Sequence, residues 1–150
     1  MQTFKDNLDQ EWNIHLDLPT ARRIRSKLGI DLLRPDHLSA TRASVMDRLL
    51  IIVLLCEPAA KELKIDLEDF EERLIGPETV NEVSNALMQE LVDFSHRLGL
   101  VVESKMTEAE LEIMKEAQKK SSSDLATGRL DSVISLEKSK ILQRLDAIVG

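Results

Sequence analysis

The chain has 150 residues, of which 43% are hydrophobic, with three Phe, one Trp and no Tyr. This length suits one domain with a mainly aliphatic core, and the formal net charge of −7 argues against a dedicated nucleic-acid binder. A single cysteine excludes an intrachain disulfide, and the N-terminus lacks the basic-then-apolar profile of a secretion signal. We therefore expect a cytosolic protein.

Two short segments near the N-terminus, residues 3–5 and 12–16, alternate large apolar with polar residues around a turn-rich stretch. The alternation predicts a β-hairpin with Trp12, Ile14 and Leu16 on one face. An isolated hairpin is marginal in water, so this face should either lie on the helices or pair with a partner chain. These three residues are therefore candidate partner-binding residues.

A helix is predicted over residues 18–28, capped by Asp17 or Thr20 and with Ala21, Ile24 and Leu28 facing inward. The rest of its surface should carry a basic patch. The patch consists of Arg22, Arg23, Arg25 and Lys27.

Charge is distributed unevenly along the chain. Residues 22–48 contain seven Arg and Lys against three Asp, whereas residues 57–82 contain nine Asp and Glu against three Arg and Lys. Such a chain could associate head-to-tail with copies of itself or with a charged partner. The alternative is that both regions are solvated surfaces.

Residues 49–56 contain no polar side chain, which predicts a central core helix that the other segments cover on all sides. We expect this helix to follow a turn at residues 34–37, to begin near Ser39 or Thr41 and to end before Pro58. It is too short to cross a bilayer, which needs about 20 apolar residues.

Three further helices are predicted downstream, over residues 58–64, 66–75 and 78–98. The inner stripe of the second consists of Leu67, Phe70 and Leu74. The long third helix is the expected direct neighbour of the central helix. Its inner positions are Val80, Val83, Leu87, Leu91, Phe94 and Leu98.

After Gly99 the chain becomes more charged, and we expect a helical body over residues 1–99 and a charged helical extension over residues 100–150. A capping-box pattern at Thr107 predicts a helix to about Lys119, which the serine-rich stretch that follows should break.

A last helix is predicted over about residues 132–149, with a narrow apolar stripe typical of helix pairing. This stripe is a second candidate partner-binding surface. It consists of Ile134, Ile141, Leu145 and Ile148. Residues 104–150 would then be either a mobile arm that binds a partner or a segment docked on the body. The predicted fold is mainly α (α+β), with an N-terminal β-hairpin packed on a helical bundle around a buried central helix and a C-terminal helical arm.

The sequence contains no phosphate-loop, dinucleotide-binding, zinc-protease or α/β-hydrolase motif. His15, His37 and His96 lie in separate elements without a companion at ligand spacing. Cys56 follows an apolar run, where a thiol usually packs as a small buried hydrophobe. The acidic stretch 66–72 lacks the residue order of a calcium-binding loop. We therefore expect no catalytic, metal-binding or cofactor-binding residues.

Several short segments carry a family resemblance when taken in order over about residues 3–95. They are residues 3–7 (TFKDN), 11–14 (EWNI), 16–17 (LD), 22–25 (RRIR), 28–33 (LGIDLL), 55–60 (LCEPAA), Ile65 with 68–70 (EDF), 74–76 (LIG) and 91–94 (LVDF). This ordered set resembles a group of tailed-phage and prophage tail assembly chaperones and small tail proteins. Where that family tends to continue its Asp-Phe with Phe and Pro, this chain has Ser95 and His96.

The resemblance implies a non-enzymatic protein that acts during tail morphogenesis in the host cytoplasm. Chaperones of this kind coat the hydrophobic, helical tape measure and give way as tube subunits polymerise around it. The implied partners are tape-measure and tube proteins, with a possible homo-oligomer and no nucleic acid or membrane.

Two alternative functions stay open. One is a structural tail component that is retained in the virion. The other, weaker one is a small transcriptional regulator whose Arg22 to Lys27 segment contacts phosphates, although the sequence shows no recognition helix.

Overall fold

The computed structural model describes residues 1–127, with side chains through Lys120, and the chain divides into two compact units, residues 1–112 and 113–150. The elements are β1 (Gln2–Lys5), β2 (Glu11–Ile14), α1 (Leu18–Leu28), α2 (Pro35–Ala43), α3 (Val45–Glu62), α4 (Leu67–Arg73), α5 (Pro77–Arg97) and α6 (Val101–Thr127). The predicted class is confirmed: the fold is mainly helical, with an N-terminal two-stranded antiparallel hairpin packed on the helices.

The hairpin contributes one face to the core. Phe4 lies opposite Trp12 in the antiparallel register, and Phe4, Trp12, Ile14 and Leu16 are all at most 2% exposed. β1 packs on α5, and β2 packs on both α3 and α5. The Trp12 ring meets Phe70 edge to face, with centroids 4.7 Å apart. The sequence left open whether this face lies on the helices or pairs with a partner chain, and the structure shows that it packs on the helices.

A buried carboxylate holds the hairpin turn. Asp6 accepts hydrogen bonds from Trp12 Nε1 at 2.9 Å and from the backbone N–H groups of Leu8 and Gln10, also at 2.9 Å. Arg73 Nη1 of α4 lies 3.3 Å away. Burial by itself would raise the pKa of Asp6, but the donated hydrogen bonds outweigh it and hold the pKa below its ordinary value. The ionised side chain thus ties the turn to α4.

A second buried carboxylate holds the other end of the hairpin. Glu90 of α5 accepts from the Leu16 N–H at 3.0 Å and lies 3.3 Å from Arg97 Nη2 and 3.5 Å from His15 Nδ1. Arg97 also donates to the Leu16 carbonyl at 2.8 Å. The chain leaving β2 is therefore fixed to α5 through both its backbone N–H and its backbone C=O.

Helix α1 has the predicted bounds and cap. The Asp17 side chain accepts from the Thr20 N–H at 2.9 Å, and Gly29 ends the helix with φ of 70°, in the left-handed region that glycine adopts without steric cost. Ala21 and Ile24 are buried as predicted, whereas Leu28 is only half-buried.

The predicted turn at residues 34–37 is wrong, because a separate helix, α2, begins there. Pro35 occupies its first turn, where the missing amide hydrogen costs least. The central helix α3 therefore does not start near Ser39 or Thr41, which lie in α2. Ser44 is extended and caps α3 by accepting from the Asp47 N–H at 3.1 Å.

A buried arginine closes the end of α2. Arg48 donates to the backbone carbonyls of Thr41 and Arg42, and its Nε lies 3.5 Å from Ser84 Oγ of α5. A cation at a helix C-terminus meets the negative end of the helix dipole and satisfies carbonyls that have no helical partner. Desolvation lowers the pKa of Arg48 from its ordinary value, with Glu110 opposing that shift.

The predicted end of the central helix before Pro58 is also wrong, since α3 continues to Glu62. Proline lacks the N–H that would bond to the carbonyl four residues earlier, which is that of Leu54. Arg23 of α1 donates to this carbonyl at 2.8 Å and lies 3.4 Å from Glu57. A side chain from another helix therefore replaces the backbone hydrogen bond that the proline removes.

The separate helix predicted over residues 58–64 is mostly the last part of α3. Phe70 and Leu74 are buried as predicted, whereas Leu67 is 42% exposed and does not belong to the inner stripe. Helix α5 confirms the predicted long helix, and it packs on α3. Its buried inner positions include Val83, Leu87, Leu91 and Phe94; Val80 is half-buried and Leu98 is exposed.

Helix α6 begins at Val101, so Thr107 is not its cap as predicted but a fully buried residue within it. The Thr107 Oγ1 accepts from Arg42 Nη1 at 3.0 Å, and Arg42 Nε lies 3.3 Å from Glu110. Because Ser104 and Leu111 are also buried, the helical body extends beyond residue 99. The serine-rich stretch does not break the helix, which runs to Thr127.

The last predicted helix and its stripe lie outside the described residues. These are residues 132–149, with Ile134, Ile141, Leu145 and Ile148.

Candidate protein-binding groove

Helix α3 has one sealed and one open face. Ile51, Ile52 and Cys56 are at most 1% exposed, as predicted for a central core helix. Leu50, however, is 39% exposed, and Leu49 is only half-buried. The expectation that residues 49–56 are covered on all sides is therefore wrong for one face of the helix.

The open face of α3 lines a groove of about 310 Å³. On the α3 side the lining residues follow the spacing of one helix face. They are Met46, Leu49, Leu50 and Val53. The opposite wall comes from the end of α4 and the start of α5. It consists of Glu71, Leu74, Ile75 and Val80. Seven of these eight residues are apolar, and we call the site the α3 groove.

The connection between α4 and α5 shapes the far wall of the α3 groove. Leu74 is buried at its base, whereas the next residue, Ile75, is 60% exposed. Gly76 then adopts φ of 134°, which side-chain-bearing residues rarely adopt, and Pro77 starts α5. The tight turn leaves Ile75 at the surface instead of in the core.

Glu71 is the one charged side chain that lines the groove within residues 1–120. Among the described residues, its carboxylate has no hydrogen-bond or ion-pair partner. The apolar wall is thus bordered by one carboxylate whose charge no described residue neutralises.

The groove offers burial of apolar surface and one carboxylate, which is a binding surface without converging reactive groups. Cys56 lies on the sealed side of α3, where burial raises the pKa of its thiol to about 12 and keeps it protonated. The His15 and Glu90 contact is used in anchoring the hairpin. Within residues 1–120, no cluster of His, Cys, Asp and Glu side chains could hold a metal ion.

The structure separates the predicted partner-binding and basic residues into two groups. Trp12, Ile14 and Leu16 are core residues, so the prediction that their side chains contact a partner is wrong: α3 and α5 already cover them. Arg22, Arg25 and Lys27 are exposed on α1 as predicted. Arg23 departs from this basic patch because its guanidinium turns toward α3.

Sequence reasoning missed the α3 groove although its α3 side was visible in the sequence. Met46, Leu49, Leu50 and Val53 recur at the spacing of one helix face, but the uniformly apolar run concealed which face would stay open. A second exposed apolar row, also missed, lies on α6 and consists of Val102, Met106 and Ile113.

None of the described helices is both long enough and apolar enough to span a membrane. No protein-family model, curated protein or solved structure matches the chain.

Proposed function

We propose that this protein is a non-enzymatic phage tail assembly chaperone that binds an apolar helix of a client tail protein, the tape measure first, in the α3 groove. The observation that carries the proposal is the groove itself, a solvent-open surface lined almost entirely by apolar side chains. The class of client comes from the family resemblance of residues 3–95. The site of action proposed is the host cytoplasm.

The dimensions of the α3 groove suit a helix as ligand. Residues 46–53 span about 10 Å along the axis of α3 at 1.5 Å per residue, which is two helical turns. An amphipathic helix that docks in a groove inserts side chains spaced three or four residues apart, so two or three of them can fit here.

The binding expected from such a site is reversible. Each buried aliphatic side chain contributes about 2 kcal/mol, so three anchors give about 6 kcal/mol before the entropic cost of association is subtracted. A weak, exchangeable contact suits a chaperone that must leave when tube subunits arrive. Coverage of a long client would then require several copies bound along it.

The test is co-expression of the full chain with a tape-measure gene, followed by measurement of soluble tape measure after centrifugation. Leu50→Asn places a polar group in the groove and should reduce soluble client several-fold. Leu18→Asn is the matched control, because Leu18 is 50% exposed on α1 and does not line the groove. Circular dichroism and thermal unfolding of both variants establish that they fold.

The proposal fails if folded Leu50→Asn protein keeps the client as soluble as the wild type does. Mass spectrometry separates the chaperone from the alternative, a structural tail component. A chaperone should be found in lysates and be missing from purified mature particles, whereas a structural component should be found in the particles.

A further inference from the structure

The acidic edge of the α3 groove narrows the class of helix that it can bind. Resting on the function proposed above, we infer that the client helix carries Lys or Arg side chains beside its apolar stripe, positioned to pair with Glu71. The inference joins two observations: the apolar lining of the groove and an unpartnered carboxylate within that lining.

Some carboxylates on the described surface are paired and others, such as Glu62 and Glu68, are not; among the unpaired ones, Glu71 is distinguished because it lines the α3 groove. Asp36 pairs with Arg34 at 2.9 Å, and Glu57 pairs with Lys61 at 3.2 Å. Glu71 has no such partner among the described residues, and no Lys or Arg lines the groove. Its charge is therefore available to a ligand, and a ligand in the groove meets it directly.

A Lys or Arg side chain of the ligand matches both the apolar lining of the groove and the carboxylate of Glu71. The aliphatic stem of Lys or Arg lies along apolar residues such as Ile75 while its charged end reaches a carboxylate at the edge. A client carboxylate at the same place would face Glu71 as a like charge, which disfavours docking. Glu71 at the edge of the groove thus discriminates, by charge, between helices that have the same apolar stripe.

The exposed helices of a second copy of this chain are less suitable ligands for the groove. Helix α1 presents Arg22, Arg25 and Lys27 but only Leu18 as an exposed large apolar residue. The apolar row on α6 is flanked by more carboxylates than ammonium groups. Among the residues whose side chains the structure describes, neither of these helices combines an apolar stripe with a basic flank, and the occupant inferred is a helix of a different protein.

The test uses the full chain and two synthetic amphipathic peptides with identical leucine stripes. One peptide has lysines beside the stripe, and the other has glutamates in the same positions. Fluorescence anisotropy at low salt should give about tenfold tighter binding of the lysine peptide, a ratio that shrinks as salt screens the ion pair.

Three variants test which residues cause the preference for the lysine peptide. Glu71→Lys should abolish or reverse the preference for the lysine peptide. Glu62→Lys makes the same change of charge at an exposed α3 residue outside the groove lining, and it should leave the preference in place. Leu50→Asn, which leaves the charge unchanged, should weaken binding of both peptides.

The possible failures are distinguishable. If Leu50→Asn weakens both peptides equally and Glu71→Lys changes nothing, the basic flank is wrong and the groove function stands. If Glu71→Lys and Glu62→Lys had equal effects, the preference for the lysine peptide would reflect only the net charge of the protein, and the inference would be overturned. Binding that is insensitive to Leu50→Asn overturns the groove function itself. Concentration-dependent self-association that Leu50→Asn abolishes would make a second copy the occupant and overturn the inference of a foreign helix.

Discussion

The hairpin face and the α3 groove are both apolar surfaces, yet one is sealed and the other is open. Trp12 and Ile14 of the hairpin are at most 2% exposed, whereas Met46 and Ile75 of the groove are 64% and 60% exposed. The two surfaces differ at their polar edges. Asp6 beside the hairpin finds donors on a neighbouring element, while Glu71 beside the groove finds none among the described residues.

This difference shows that apolar periodicity identifies a face without saying what covers it. A face becomes part of the core when the polar groups around it also find partners within the chain, because unpaired buried polar groups are costly. Glu71 is exposed to water and needs no partner within the chain, so the groove beside it can stay open without cost to the fold. Three substitutions test this comparison, in order of decreasing effect.

The largest effect is expected from Trp12→Ala on the sealed side. It removes a buried ring in contact with Phe70 and a donor to Asp6, and should cost about 4 kcal/mol of unfolding free energy. Urea unfolding monitored by circular dichroism measures this loss of unfolding free energy without depending on tryptophan fluorescence. A loss below about 1 kcal/mol, the level of an exposed site, would contradict the burial of this face.

An intermediate effect is expected from Asp6→Asn, about 2 kcal/mol at neutral pH, because the charged acceptor of several hydrogen bonds is lost. The pKa of folded Asp6 lies below its ordinary value near 4. Its ionised form therefore stabilises the fold above that pH, and this contribution is lost as pH falls through the folded pKa.

The stabilities of wild type and Asp6→Asn should accordingly converge in acid. Thermal unfolding at pH 7 and at successively lower pH measures the difference between the two proteins. A difference that does not change with pH would show that ionisation of Asp6 is not what holds the hairpin turn.

The smallest effect is expected on the open side. Ile75→Ser should change the unfolding free energy by less than about 0.5 kcal/mol, because the side chain is mostly exposed in the folded state. The same variant should weaken client binding in the α3 groove. A cost of 2 kcal/mol or more in urea unfolding, as for a core residue, would mean that the groove is closed in solution.

Local signals in the sequence were sufficient where the interactions that decide the structure are local. The alternation around Trp12 predicted the hairpin, and the Asp17 cap predicted the start of α1. The end of α3 could not be predicted in this way. The penalty of Pro58 is relieved by Arg23, which donates to Leu54 from a position 31 residues earlier in the chain.

The candidate site shows the same limit. One wall of the α3 groove follows from the periodicity of residues 46–53, but the opposite wall depends on where the turn at Gly76 places Ile75. Arg42 and Arg48 belong to the basic stretch 22–48, and its composition could not show that they are buried, since their acceptors Thr107 and the α2 carbonyls are set by tertiary packing.

The contact between Arg23 and the Leu54 carbonyl couples two distant sequence positions. With alanine in place of Pro58, the restored amide would compete for that carbonyl, and the guanidinium would become free to join Arg22 and Arg25 on the surface of α1. Positions 23 and 58 should therefore be substituted together in related chains, and that pairing would be visible in sequences alone.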